Sequence, residues 1–297
     1  MSAIKKIRKI GIVLRPVLDN DRSKIDELKH ALILARGAFS DVGIEIIVEE
    51  NSLKNLSDAK SFKSAKLSDL IHSVDAFASL GGDGTLISLI RKIHKSKLPV
   101  FGINLGKLGF LTSINPAQIG EFALDLKEQN YVIDSHMMLE ASVKINNKNI
   151  KKYAINEFLI SKDDVLGRIS SIHSCINGQK FNTYIADSLI ISTPTGSTAY
   201  NISAGGPIVY PLCDNIILTP VAAHTLTQRP MVVPNSELTF SVKSNGILII
   251  DGQENIPLDP MTKIKIRPAK TRALLIQSKK RSFFKVLKEK FNWGQND

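Results

Sequence analysis

Residues 81–85 read Gly-Gly-Asp-Gly-Thr, one carboxylate among three glycines. Glycine loops cradle phosphates because bare backbone N–H groups approach an anion closely, and Asp83 would repel that anion. Two readings follow. In one, Asp83 closes an Asx-type turn by accepting nearby backbone N–H groups. In the other, the amides hold a transferring phosphoryl group while Asp83 accepts the proton of an acceptor hydroxyl, the division of labour of a kinase. On that reading Gly82 and Gly84 keep the backbone close to phosphate, and an added methyl would block it.

Three further stretches carry polar chemistry. Ser192–Pro207, STPTGSTAYNISAGGP, alternates hydroxyls, glycines and one aromatic. Thr195, Ser197, Thr198 and Ser203 can donate to sugar or phosphate oxygens, and Tyr200 can present a ring to a base; equally, small residues could serve a tight crossing between strands. Asn156-Glu157 interrupts the apolar run YAINEFLI, at a cost unless the pair is satisfied: a bent strand end or a pair for ribose hydroxyls. Asp251-Gly252-Gln253 follows ILII as a hairpin turn. His72, His173 and His224 have no ligand spacing, and with no CxxC near Cys175 or Cys213 no metal ligands are assigned.

These stretches need elements to hold them. Lys9–Leu14, Ile44–Val48, Ala76–Leu80 and Val100–Ile103 read as short apolar strands. Ile25, Leu28, Leu32, Ala35 and Phe39 recur at helical spacing, and Leu86 to Ile93 suits a partly buried helix after the glycine loop. Such alternation predicts a doubly wound parallel layer. Residues 51–66 read as a surface loop. Beyond a helix at Ile119–Leu126, β patterns take over: Glu140–Ile145, Ala154–Ser161, Ser170–Ile176, Leu189–Ser192, Glu237–Val242, Gly246–Ile250 and Lys263–Arg267. The end, SFFKVLKEKFNWG, is helical again. The expected fold is therefore a doubly wound, Rossmann-like α/β domain over 1–112 carrying GGDGT, a β-rich domain over 113–276, and a segment 277–297 whose helix packs back on the first. The ligand cleft is expected between the domains.

The net charge is +11, much of it at the two ends: Lys5, Lys6, Arg8 and Lys9, then Lys279, Lys280, Arg281, Lys285, Lys288 and Lys290. The middle has no basic block interleaved with aromatics, so nucleic acid is not the expected partner. No apolar run reaches membrane-span length, and Arg15-Pro16 breaks the run Ile10–Leu14 before it could serve as a signal. Two scattered thiols fit a reducing cytoplasm.

Taken together the motifs resemble the NAD kinase family in its bacterial form: GGDGT at 81–85, GINLGKLGFL at 102–111, NE at 156–157, ADSLIISTPTGSTAYNISAGGPI at 186–208, AAHTLTQRP at 222–230 and DGQ at 251–253. GGDGT alone is shared with diacylglycerol and sphingosine kinases and, loosely, with phosphofructokinases; the 186–208 stretch is more particular. The resemblance implies transfer of the ATP γ-phosphoryl to the 2′-hydroxyl of the adenosine ribose of NAD, with Asp83 as general base. It implies ligand contacts at Gly84, Phe110, Asn156, Glu157, Arg168, Asp187, Thr198, Ala199, Tyr200, Asn201, Ile202, Ser203 and Gln253. It implies a divalent cation, Mg²⁺, and a cytoplasmic homotetramer. One departure stands out: Ile185 occupies a position where members often carry Arg, so Lys180 or Arg168 would have to supply the charge. A lipid or sugar kinase and a non-catalytic dinucleotide-binding regulator are the competing readings; a carboxylate beside phosphates argues against the regulator.

Overall fold

The structure, a computed structural model, describes residues 6–18, 21–54, 56, 59–106, 109–146, 148–163, 170–225 and 227–293. Two compact units emerge, Met1–Asp134 with Leu274–Asp297, and Ser135–Ala273.

The chain opens with β1 (Lys9–Leu14), α1 (Arg22–Asp41), β2 (Glu45–Glu49), β3 (Ser64–Ala65), α2 (Leu67–Ser73), β4 (Ala76–Gly81), α3 (Asp83–Ile93), β5 (Val100–Asn104), α4 (Ile119–Lys127) and β6 (Tyr131–His136). It then runs through β7 (Leu139–Ile145), β8 (Lys148–Ala154), β9 (Glu157–Lys162), β10 (Ser170–Ile176), β11 (Gln179–Ser192), α5 (Tyr200–Ser203), β12 (Asn215–Ala223), β13 (Met231–Pro234), β14 (Leu238–Val242), β15 (Gly246–Ile250), β16 (Glu254–Leu258) and β17 (Lys263–Pro268). It closes with β18 (Ala273–Ser278) and α6 (Phe283–Phe291).

In the first unit the sheet order is β3-β2-β1-β4-β5-β18-β6, parallel from β3 through β18. Strands β4 and β5 are buried along their whole length, as sheets covered on both faces require, so they read as unbroken apolar runs. The strand order reverses between β1 and β4, and ligands of open α/β sheets bind at the carboxyl ends of strands at such a switch point. Gly81 ends β4 there, and Asp83 opens α3. The unit runs on past residue 112 because Ile119, Phe122, Ala123 and Leu126 of α4 join the first core. Phe101 stacks between Phe39 and Phe122, with ring centroids 6.2 and 5.0 Å away. Truncating such a fully buried Phe costs about 3–5 kcal/mol.

The second unit is an antiparallel sheet ordered β16-β15-β9-β11-β10-β14-β17-β7-β8, with β12 on β11 and β13 on β12. Strand β11 pairs β10 along its first half and both β9 and β12 along its second. Tyr184, Phe158 and Phe240 fill the core beneath. The run 154–161 is not one strand: β8 ends at Ala154, β9 begins at Glu157, and the chain bends at Ile155-Asn156. Asp251 and Gly252 have φ of 47° and 63°, the left-handed pair that a tight hairpin between β15 and β16 demands.

Candidate functional site

The first cluster grows from the switch point. Asp83 occupies the first turn of α3, where a negative charge is favoured by the helix dipole. Its carboxylate turns away from its own loop toward residues 109–112. Phe110 N–H donates to Oδ2 at 2.7 Å, and Leu111 and Thr112 N–H donate to Oδ1 at 3.2 and 2.9 Å. The acidic side chain is thus not a local Asx turn, since its donors lie 27–29 residues downstream. It stands in the glycine loop with its carboxylate turned toward another segment's amides.

Gly109 makes this approach possible. A Cβ on it would overlap Asp83 Oδ1 and Thr112 Oγ1. Gly82 has φ −101° and open space where a Cβ would stand, so its role is neither a left-handed turn nor internal packing. Gly81 is the constrained one, facing Thr85 Oγ1 and Arg15 Cβ. Gly84 is exposed in the first turn of α3.

On its opposite side the 109–112 segment meets Arg281. The guanidinium donates to the carbonyls of Gly109 at 3.2 Å, Phe110 at 2.7 Å, and Thr112. Burial lowers the pKa of Arg281, while the carboxylates of Asp83 and Asp134 raise it. The Phe110 ring packs on Phe283 and Phe291 of α6, 6.4 and 5.9 Å between centroids, with Lys290 Nζ 5.3 Å from its centre. Lys107 and Leu108 of the 102–111 motif lie outside the described residues.

The second cluster grows from the bend between β8 and β9. Asp251, buried at the hairpin tip, accepts N–H bonds from Ile155 at 3.2 Å, Asn156 at 2.8 Å and Glu157 at 3.1 Å. Thr193 holds the carbonyl side: its hydroxyl donates to Ile155 O at 2.5 Å and its N–H to Asn156 O at 2.8 Å. Gripped this way, the bend leaves two side chains uncommitted. The half-buried Asn156 amide has no hydrogen-bond partner among the described residues. Glu157 is 6% exposed and its Oε2 is unpartnered. Burial, then the neighbouring Asp251 carboxylate, push the Glu157 pKa up to about 8. A polar pair, one member buried, that the protein itself leaves unsatisfied is suited to a ligand's hydroxyls.

The 195–203 stretch divides by role. Asn201 is fully buried and its amide is spent inside the protein: Nδ2 donates to Ser197 O and Pro207 O at 3.1 and 3.0 Å, and Oδ1 accepts from Thr219 Oγ1 at 2.6 Å. Ser197 is likewise buried, bonded to Val209. Thr198, Ala199 and Ile202 are half-buried, while Tyr200 and Ser203 are exposed, so the aromatic ring is presented outward. Gln253 is exposed beside Asp251 in the hairpin turn.

Asp187 pairs with Lys162 at 2.8 Å, across the β9–β11 register. Ile185 lies two residues before it on the same face, 37% exposed, its N–H held by Gln228 Oε1 at 3.1 Å. Lys180 is five residues along β11 from Ile185, about 16 Å at ~3.3 Å per residue. Arg168 lies outside the described residues. The cation beside Asp187 is Lys162, which sequence reasoning did not single out, nor Thr193; Asp251 reads in the sequence as part of a hairpin turn and Arg281 as one charge of the basic tail. Each acts on a partner far away in the chain, so spacing carried no signal for it.

The sequence models of the ATP-NAD kinase N-terminal and C-terminal domains match residues 10–131 and 127–278. An NAD kinase of Helicobacter hepaticus is 41% identical over 97% of each chain. Among solved structures, a yeast NADH kinase complexed with NADH superposes with a TM-score of 0.83 at 21% identity, covering 99% of this chain and 90% of that one. An Archaeoglobus fulgidus NAD kinase in complex with ATP gives 0.71 at 22% identity, covering 96% and 98%. These two carry the fold; the domain matches and the close relative carry the family. The chain belongs to the NAD kinase family, enzymes that phosphorylate NAD with ATP.

Proposed function

We propose that the 2′-hydroxyl of the adenosine ribose of NAD is the acceptor and that Asp83 takes its proton. The 2′-oxygen attacks the γ-phosphorus of ATP, the bond to the bridging oxygen breaks, ADP leaves and NADP forms. The observation that carries this reading is the Asp83 carboxylate: it offers about four lone-pair sites, and three backbone N–H groups occupy three of them. The side chain is thereby fixed in orientation with room for one more hydrogen bond, and a general base must be within hydrogen-bond reach of the proton it takes. The phosphates are placed at the N-terminal end of α3, where a helix favours an anion.

Asn156 and Glu157 hold the ribose hydroxyls, which give Glu157 the partner it lacks in the protein. Tyr200 offers its ring to a base, and Thr198, Ala199, Ile202, Ser203 and Gln253 border the dinucleotide. Asn201 acts from behind, keeping this segment in shape. Asp187 with Lys162 forms its charged edge. Phe110 contributes its backbone N–H to Asp83.

Among the described residues no group of three or more His, Cys, Asp or Glu side chains could hold a metal. Magnesium needs only one or two carboxylates beside nucleotide phosphates, so the donor set fits a cation that arrives on ATP. There it would neutralise charge on the transferring phosphoryl group. Among the described residues no helix is long and apolar enough to cross a membrane. A homotetramer in the cytoplasm completes the reading, on the strength of the family resemblance.

The test is to incubate the protein with NAD, ATP and Mg²⁺ and to place the new phosphate by ³¹P–¹H NMR. A 2′-phosphate that an NADP-specific dehydrogenase accepts is expected. A 3′-phosphate, or no phosphorylated dinucleotide, overturns the proposal.

A further inference from the structure

We propose that Arg281, from the C-terminal tail, is the positioning residue that holds Asp83 in its working orientation, acting through the peptide groups of residues 109–112. This rests on the reading of Asp83 as the base.

The geometry is a short stretch of backbone held between two opposite charges. On one side the Asp83 carboxylate collects the N–H groups of Phe110, Leu111 and Thr112. On the other the Arg281 guanidinium donates to the carbonyls of Gly109, Phe110 and Thr112. In a trans peptide the N–H and C=O point in opposite directions, so a cation at the carbonyl end and an anion at the N–H end favour the same orientation of the dipole. Each hydrogen bond polarises its peptide and strengthens the next. A guanidinium suits the task because its fork of five donors meets several carbonyls at once, whereas an ammonium is a compact point charge.

The two ends of the segment are held differently. Its downstream end is fixed independently, by Ser113 N–H to Gly102 O at 2.9 Å and the bridge between Ile103 and Ile114. At the upstream end, Gly109 lies against the Asp83 carboxylate with no room for a Cβ, and Arg281 holds its carbonyl. Phe283 and Phe291 of α6 brace the Phe110 ring from the same tail. The carbonyl partners of Arg281 lie 169–172 residues before it. In the sequence Arg281 is one cation within a basic cluster that otherwise reads as a solvated tail; of that cluster's six cations, Arg281 is half-buried and the rest are exposed.

A tail that merely stabilises the fold would lower melting temperature and leave turnover per folded molecule unchanged; a positioning residue lowers kcat at unchanged KM. The experiment compares Arg281→Ala, Arg281→Lys, Asp83→Asn and the double variant Asp83→Asn/Arg281→Ala, with kcat and both KM values taken per folded molecule. Misplacing a catalytic group by about 1 Å costs ~100-fold, so Arg281→Ala should lose about that in kcat while KM for NAD and ATP moves less than about threefold. Arg281→Lys should recover part of the loss. In the Asp83→Asn background Arg281→Ala should cost less than about twofold, because both changes remove one function.

Losses that multiply in the double variant, or wild-type kcat in folded Arg281→Ala, overturn the proposal. Should Arg281→Ala not fold, Arg281→Lys decides: a kcat lowered at unchanged melting temperature supports the role, and an unchanged kcat refutes it. A near-normal kcat in Asp83→Asn alone brings down the base assignment itself. A crippled Asp83→Asn beside normal Arg281 variants removes only the positioning role.

Discussion

Glu157→Gln should stabilise the ligand-free protein, and by an amount that depends on pH. Glu157 is buried with an unpartnered Oε2 beside Asp251, and its pKa rises from 4.5 to about 8, chiefly through burial and then through the Asp251 carboxylate. At pH 7 the folded protein therefore keeps a proton that the unfolded chain has released. Stability that is fully present below pH 4.5 is lost as pH rises toward about 8, at up to ~1.4 kcal/mol per pH unit. From pH 4.5 to pH 7 the loss is on the order of 3 kcal/mol by that slope.

Glutamine has nearly the same shape and never ionises, so the variant escapes the loss. It should match the wild type near pH 4.5, exceed it by about 3 kcal/mol at pH 7, and gain little more above pH 8. Urea denaturation of both proteins without ligand, at pH 5, 6, 7 and 8, reads this directly; apart from Asp251, which feels the Glu157 charge, the other titrating groups are common to both and cancel. Parallel pH–stability curves would refute the reasoning. Above about pH 8, where Glu157 ionises, the same variant should bind NAD about tenfold more weakly than the wild type, because an amide oxygen accepts from hydroxyls less strongly than a carboxylate does. Such a gain in stability at the expense of binding is the usual relation at a functional site.

The other predictions concern the supports around the two clusters. Gly109→Ala puts a methyl against Asp83 Oδ1 and should lower kcat by ~10²-fold, as a displaced catalytic group does, with NAD affinity by calorimetry unchanged; a normal kcat would mean that 109–112 does not set the carboxylate. Asp251→Ala strips the acceptor from the Ile155, Asn156 and Glu157 N–H groups, at about 1–3 kcal/mol for each that stays dry, so the melting temperature should fall and KM for NAD rise; an unaffected KM would detach the bend from the dinucleotide. Ile185→Arg should leave the NAD dissociation constant nearly unchanged, since Lys162 already pairs with Asp187 at 2.8 Å, whereas Lys162→Ala should raise it. A tightening of tenfold, ~1.4 kcal/mol, in Ile185→Arg would show that the site lacked a cation.

The parallel layer was legible because β4 and β5 are buried on both faces and read as plain apolar runs, and α1 shows its core face as Leu28, Leu32, Ala35 and Phe39. The second sheet was less so. Strand β11 runs from Gln179 to Ser192, yet only its last four residues look like a strand. Its first half pairs with β10 through a bulge at Ser174/Cys175 and carries polar residues outward. Strand β12 contains Pro220, which argues against a strand until its pairing is seen. Strands β6, β13 and β16 are short or half-polar and drew no reading, and neither did β18, although ALLIQS is an apolar run. At the site, Asp83, Asn156 and Glu157 announced themselves as polar groups in apolar or glycine-rich settings. Asp251 looked like a hairpin aspartate and Arg281 like a tail charge, because what makes each of them matter is a set of backbone groups 94–96 and 169–172 residues distant.

The central claim is that Asp83, fixed by three backbone amides, takes the proton from the acceptor hydroxyl. The most direct measurement is kcat for NADP formation by Asp83→Asn, with NAD affinity of the same preparation by calorimetry. The amide is nearly isosteric but a very poor base, so kcat should fall by ~10²–10⁴-fold, ~3–5 kcal/mol of transition-state stabilisation, while the dissociation constant for NAD stays close to that of the wild type. A variant that binds NAD normally and turns over at near-wild-type kcat would contradict the account.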